Sequence, residues 1–174
     1  NWTSNRRGTE LAEHVFKKAR ELGGAKTFID TGDPSQRRGE IEELVRRVFK
    51  PSLVDALGVN ENEARWYASA LGERSDDPLA CAAKIHSELG LRVDLHTLAY
   101  SASFTSEGWS CVPCFKVKPL RATGAGDAWN AANVYAWSLG LEPWERLVFA
   151  NAAAALYISS SSGVHPSIED VASF

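Results

Sequence analysis

Thr123-Gly-Ala-Gly-Asp127-Ala-Trp-Asn-Ala-Ala132 is the stretch on which the reading of this chain depends. It follows a β-like segment and runs directly into small residues at helical spacing. It therefore reads as a glycine-rich turn from strand to helix, with a helix predicted over 127–139 and stopped by Gly140. Glycines at 124 and 126 let the backbone come close to a ligand, and the free amides of a first helical turn, at the positive dipole end, form an anion site. A carboxylate in the same turn would repel a resting phosphate. Asp127 makes chemical sense there as the acceptor of a proton from a hydroxyl that attacks the phosphate. From the turn alone, a helix-capping role for Asp127 explains the letters equally well.

Working outward, Leu11, Val15, Phe16 and Ala19 recur at helical spacing until Gly23-Gly24 stops them. A strand over 26–30 follows, and its end Asp30 opens a polar loop over 31–39 with Asp33, Arg37 and Arg38; these charges read as solvated. Helical spacing returns at Ile41, Leu44, Val45 and Val48 and ends at Pro51. A short buried strand over 53–59 leads to Asn60, placed to cap a helix over 64–71. Pro78 opens the next helix, to about residue 89. Strand-like patterns over 91–98, interrupted by His96, over 102–105 and over 109–117 come before the turn, and a helix over 143–158 comes after it. The order α-β-α-β-α-β-β-β-α-α predicts the α/β class, a mostly parallel sheet with helices on both faces. No repeat or linker is present, and 159–163, four serines and a glycine, is the one low-complexity patch.

Composition narrows the functions. The 174 residues carry a net charge of -3 and a pI near 5.8, so they lack the clustered basic surface that nucleic acid or an anionic membrane would need. The apolar run at 150–158 is too short to span a bilayer, and no charged-then-apolar leader opens the chain, so a cytoplasmic location is expected. Three cysteines, Cys81, Cys111 and Cys114, do not make a disulfide framework, and Cys111-Val-Pro-Cys114 lacks the second half of a zinc site. His14, His86, His96 and His165 have no metal spacing. The six tryptophans, without a basic stripe, read as packing anchors.

Thr-Gly-Ala-Gly-Asp-Ala followed by an aromatic and small residues resembles the C-terminal signature of the ribokinase-like (PfkB) carbohydrate kinase family. The resemblance implies a ribokinase-like fold and ATP-dependent phosphoryl transfer to an alcohol of a sugar or sugar-like substrate. It makes Asp127 the catalytic base and the Gly124, Ala125 and Gly126 backbone the anion hole. Asn60-Glu-Asn-Glu63 is similar to the family's Asn-x-x-Glu motif, which assigns Asn60 and Glu63 to Mg2+ and phosphate. Physically, an amide and a carboxylate at a strand end can orient metal-bound waters. The alanine-rich 149–158 with Gly163 and Pro166 resembles the helix and loop beside the adenine, which places Asn151 and Gly163 near ATP. The Thr97-Leu-Ala99 stretch stands where the family has Thr-Leu-Gly beside the nucleotide.

Departures from the pattern carry their own expectations. Arg121 and Ala122 replace the Asp-Thr that precedes the family's turn, and a guanidinium there opposes a monovalent cation; Arg121 could supply the positive charge itself. Ala99 and Ala102 replace glycines, each adding a methyl near the nucleotide. Residues 1–174 correspond to the C-terminal portion of a single kinase domain, without the family's N-terminal part and lid, so acceptor identity is not written in them. The resemblance admits a homodimer. The alternative from another functional class is a non-catalytic nucleotide-binding or regulatory module that keeps the kinase fold.

Overall fold

The computed structural model describes residues 2, 3 and 6–174. The chain divides into two compact units, one formed by Asn1–Leu95 with Phe104–Gly108 and the other by His96–Ser103 with Trp109–Phe174. Among the described residues no helix is long and apolar enough to cross a membrane.

The first unit opens with helix α1 (Gly8–Leu22), which ends where Gly23, at φ 72°, turns the chain away. Leu11 and Val15, whose spacing predicted this helix, are about half exposed, while Gly8 and Thr9 are buried. Strand β1 (Phe28–Asp30) follows, then a 3₁₀ segment (Pro34–Glu40), the short helix α2 (Ile41–Leu44) and a π-helical turn (Val45–Phe49). The loop expected over 31–39 is thus largely a capped 3₁₀ turn: Asp33 accepts from the Ser35 N–H, and Pro34 takes the first position, where its missing N–H costs nothing. Its Arg37 is a structural residue, ion-paired with Glu40, bonded to the Trp2 carbonyl and lying 4.7 Å over the Trp2 ring.

Strand β2 (Ala56–Asn60) pairs with β1 in parallel, Phe28 opposite Ala56 and Asp30 opposite Gly58. Helices α3 (Glu61–Ala70) and α4 (Pro78–Leu89) then cross back to strand β3 (Arg92–His96). The Asp55 carbonyl, at the start of β2, accepts from the Arg92 N–H at the start of β3, so these two strands also run the same way. The core of this unit is largely aliphatic, including Leu44, Val48, Leu57, Val59, Ile85 and Leu95; among its aromatics Phe49 meets Tyr67 edge-on at 5.7 Å.

Strands β4 (Tyr100–Thr105) and β5 (Gly108–Pro113) complete a sheet of order β1-β2-β3-β4-β5. Links of three and two residues around β4 leave only antiparallel pairings, so four of the five strands share one direction. The α/β class and the mostly parallel sheet follow as the alternation of strands and amphipathic helices predicts.

In the second unit, helix α5 (Ala125–Ser138) begins two residues earlier than expected, because the glycine turn itself supplies its first turn. Helix α6 (Pro143–Ser159) is opened by a Glu142/Glu145 capping box, and α7 (Ile168–Ala172), too short to show a period, was not foreseen. Alanines let α5 and α6 pack closely around Trp129, Ala132, Leu147, Ala150 and Ala153. Arg146 is buried among them, donating to the Asn133 side chain at 2.6 Å and to the Ser103 hydroxyl at 3.2 Å. Such a charge is tolerated inside only when its donors are used.

Candidate functional site

The glycine turn is built by two constraints. Gly124 caps α5 with φ 87° and ψ -1°, a left-handed conformation that favours glycine, and a Cβ there would lie 2.7 Å from the Tyr157 hydroxyl. Gly126 sits under the His96 ring, whose Cε1 would be 3.2 Å from an added Cβ; His96 in turn lies 5.1 Å from the Trp129 ring. Both glycines thus lie close against an aromatic ring, and Gly124 is favoured by its backbone conformation as well.

Ala125, Gly126 and Asp127 form the first turn of α5, where helix geometry leaves amides without a carbonyl four residues back. The Ala125 amide leans on a loop carbonyl, that of Ala122, at 3.3 Å. Asp127 is the third helical residue, not the cap, and its side chain is exposed. The cap position belongs to a glycine, so the capping role weighed from sequence is not what the carboxylate performs. An exposed carboxylate beside a bare helix N-terminus can accept a proton while the neighbouring amides hold an anion.

The first unit holds Asn60 and Glu63. Asn60 Oδ1 accepts from the Asn62 and Glu63 amides at 2.9 and 3.0 Å, and Glu63 Oε2 accepts from the Asn60 amide at 3.0 Å, a reciprocal capping box at the start of α3. Glu63 is buried, and desolvation, opposed by the Asn60 N–H and reinforced by the charges of Asp30 and Asp33, pushes its carboxyl up to about 7. Asp33 Oδ1 is tied to the same cap by accepting from the Asn62 side-chain Nδ2 at 3.2 Å, and Asp30 accepts from the Gly32 N–H at 2.7 Å.

This donor set suits a hard cation. Among the described residues no three His, Cys, Asp or Glu side chains close into a cage. Magnesium asks for none: it keeps several waters and takes one or two carboxylates together with phosphate oxygens.

The residues expected near a nucleotide each have contacts within the chain. Thr97 forms the link between β3 and β4: its hydroxyl donates to the Tyr100 carbonyl at 2.7 Å and accepts from the Ala99 and Tyr100 amides. Ala99 is exposed, and its carbonyl accepts from the Cys114 N–H at 2.9 Å. Asn151 is buried, accepting from the Trp129 indole N–H at 2.8 Å and donating to the Pro113 carbonyl at 3.1 Å. Gly163, at φ 72°, lies against the Arg121 guanidinium. Tyr157, which sequence reasoning passed over, touches the turn; nothing in an alanine-rich helical run signals that one aromatic faces a glycine over thirty residues away.

The matching of whole sequences decides the family. A sequence model described as pfkB family carbohydrate kinase matches residues 8–170. This chain belongs to the pfkB carbohydrate kinase family. Solved structures agree with that assignment at the level of the fold. Ribokinase from Thermotoga maritima is 27% identical, with a TM-score of 0.71 over 90% of this chain and 50% of its own length. Aminoimidazole riboside kinase from Salmonella enterica is 21% identical, with a TM-score of 0.78 over 98% of this chain and 58% of its own. An E. coli protein assigned as ribokinase II, solved with ATP and Mg2+, is 17% identical, with a TM-score of 0.77 over 97% of this chain and 54% of its own. This pfkB chain thus spans about half the length of the solved kinases it matches.

An apolar cavity of about 180 Å³ lies between α5, α6 and α7, lined by Ala128, Ala132, Phe149, Ala153, His165 and Val171 among others. Its largely carbon lining suits an apolar group and not a phosphate.

Proposed function

We propose that this pfkB chain supplies the nucleotide-binding and catalytic portion of a kinase that moves the γ-phosphoryl group of ATP to an alcohol of a sugar or sugar-like compound. The observation that carries the reading is Asp127, an exposed carboxylate in the first turn of a glycine-capped helix, where helix geometry leaves the Gly126 and Asp127 amides without a carbonyl four residues back. Asp127 takes the proton of the attacking hydroxyl. The backbone of Gly124, Ala125 and Gly126 receives the charge that spreads over the phosphoryl oxygens, as fixed dipoles that need no reorganisation during the step.

Asn60 and Glu63 would hold Mg2+ through its waters, and the ion would neutralise charge on the phosphates when bound. Glu63 must lose its proton to do so. The E. coli structure solved with ATP and Mg2+ supports both as ligands of this fold. The backbone at Thr97, Ala99 and Gly163 would border the nucleotide, whereas the Asn151 side chain serves the interior of its own unit. Arg121 stands where an acidic ligand would be needed for a monovalent cation, so the reading includes no such cation. A cytoplasmic location and assembly as a homodimer remain part of the proposal.

The experiment is Asp127→Asn in the complete gene product. Turnover should fall by about three orders of magnitude with nucleotide affinity kept within about threefold, because the loss falls on proton transfer and not on ground-state binding. Retained turnover would sink the base assignment. Nucleotide binding by the unaltered protein without turnover on any alcohol would favour the non-catalytic module.

A further inference from the structure

The second unit holds a charged side chain that the chemistry above does not use. Arg121 lies three residues before the helix cap, and its own amide and that of Leu120 both donate to the Ile158 carbonyl, at 3.3 and 2.7 Å. Its Nη2 donates to the Ser161 carbonyl at 2.9 Å. A Cβ at Gly163 would lie 3.1 Å from the guanidinium carbon, so the loop after α6 packs closely on the guanidinium at a residue whose φ of 72° favours glycine. The same guanidinium carbon is 5.6 Å from the centroid of the Tyr157 ring.

Tyr157 continues the run. Its ring stacks on the His165 imidazole at 4.5 Å and 11°, and its hydroxyl reaches the place a Gly124 side chain would fill. The loop at 161–163, Arg121, Tyr157 and the cap of α5 therefore form one contiguous set of contacts inside the second unit. A flat guanidinium can bond a carbonyl in its plane and lie against an aromatic ring, which a lysine ammonium does less well. Its Nε is buried without a hydrogen-bond partner among the described residues, so the group is held by the ring, the loop glycine and one carbonyl.

We infer that Arg121 is a positioning residue: through Tyr157 it fixes the Gly124 turn against the loop that follows α6, and so keeps the first-turn amides of α5 aligned on a phosphate. Arg121 acts through the tyrosine and does not touch the phosphate. The functional half of this inference rests on the reading of the Gly124 turn as an anion site; the structural half does not.

Two measurements separate them. Amide hydrogen exchange in the unliganded protein reads the clamp at Leu120 and Ala125, and calorimetry with Mg2+ and adenylyl imidodiphosphate reads the anion site. Arg121→Gln should speed exchange at both amides by about tenfold and weaken the analogue by about tenfold. Arg121→Lys, which keeps a cation over the ring, should recover part of both effects, and Tyr157→Leu should reproduce Arg121→Gln. Unchanged exchange in Arg121→Gln, or a Tyr157→Leu protein that exchanges like the unaltered one, would overturn the clamp. An unaltered protein that fails to bind the analogue would instead count against the kinase reading, and the exchange result would still decide on the clamp.

Discussion

Replacing Glu63 by glutamine should make this protein more stable at pH 8 and leave its stability at pH 4.5 nearly unchanged. Burial and the neighbouring Asp30 and Asp33 charges raise the Glu63 carboxyl from 4.5 to about 7. The folded state therefore holds that proton more tightly than the unfolded chain does. Below pH 4.5 both states are protonated and nothing is lost. As pH rises from 4.5 to 7 the unfolded chain ionises first, and stability falls until the folded carboxyl has ionised too. At about 1.4 kcal/mol per pH unit, the full penalty above pH 7 is about 3 kcal/mol. Glutamine has no charge to desolvate and keeps an oxygen to accept the Asn60 N–H, so the capping box survives. Urea unfolding followed by tryptophan fluorescence at pH 4.5, 6 and 8 would show the two proteins diverging with pH. Parallel profiles, or a variant less stable at pH 8, would refute the argument. Magnesium should reverse the sign of the comparison: at pH 8 it should stabilise the unaltered protein and not the variant.

Further predictions concern the glycine turn and the interior. Gly124→Ala forces a side chain into a left-handed backbone and against the Tyr157 hydroxyl; it should cost about 1–3 kcal/mol in chemical denaturation and weaken ATP binding by calorimetry. Asn151→Ala leaves the Trp129 indole N–H and the Pro113 carbonyl without their partner, and a loss of about 2 kcal/mol is expected in the same denaturation assay. If Asn151→Ala instead weakens ATP binding at unchanged stability, Asn151 is a ligand and its interior role is wrong.

What could be read from the chain beforehand was local. Gly124 and Gly126 before a run of alanines announced the turn that opens α5, because glycine is the residue such geometry selects; the strand expected to feed it ends earlier, at Pro113, and an irregular stretch lies between. The Asn60-x-x-Glu63 spacing announced a helix start, because a reciprocal cap needs those residues three apart. Burial of Glu63 among Asp30 and Asp33 was not legible, since it depends on a loop some thirty residues upstream. Asn151 looked like a ligand in an alanine-rich run but turns inward to an indole twenty-two positions away. Arg146 gave no sign of being interior, because its partners Asn133 and Ser103 lie on other elements. The π-helical turn at Val45–Phe49 has no signature in residue type at all.

The central claim is phosphoryl transfer to an alcohol, and the most direct test is ATP consumption. The complete gene product with Mg2+ would be assayed against a panel of sugars, nucleosides and hydroxymethyl vitamin precursors, beside its Asp127→Asn variant. The account predicts acceptor-dependent ATP consumption that disappears in the variant. ATP bound but not consumed with any acceptor, or consumption that the variant retains, would contradict it.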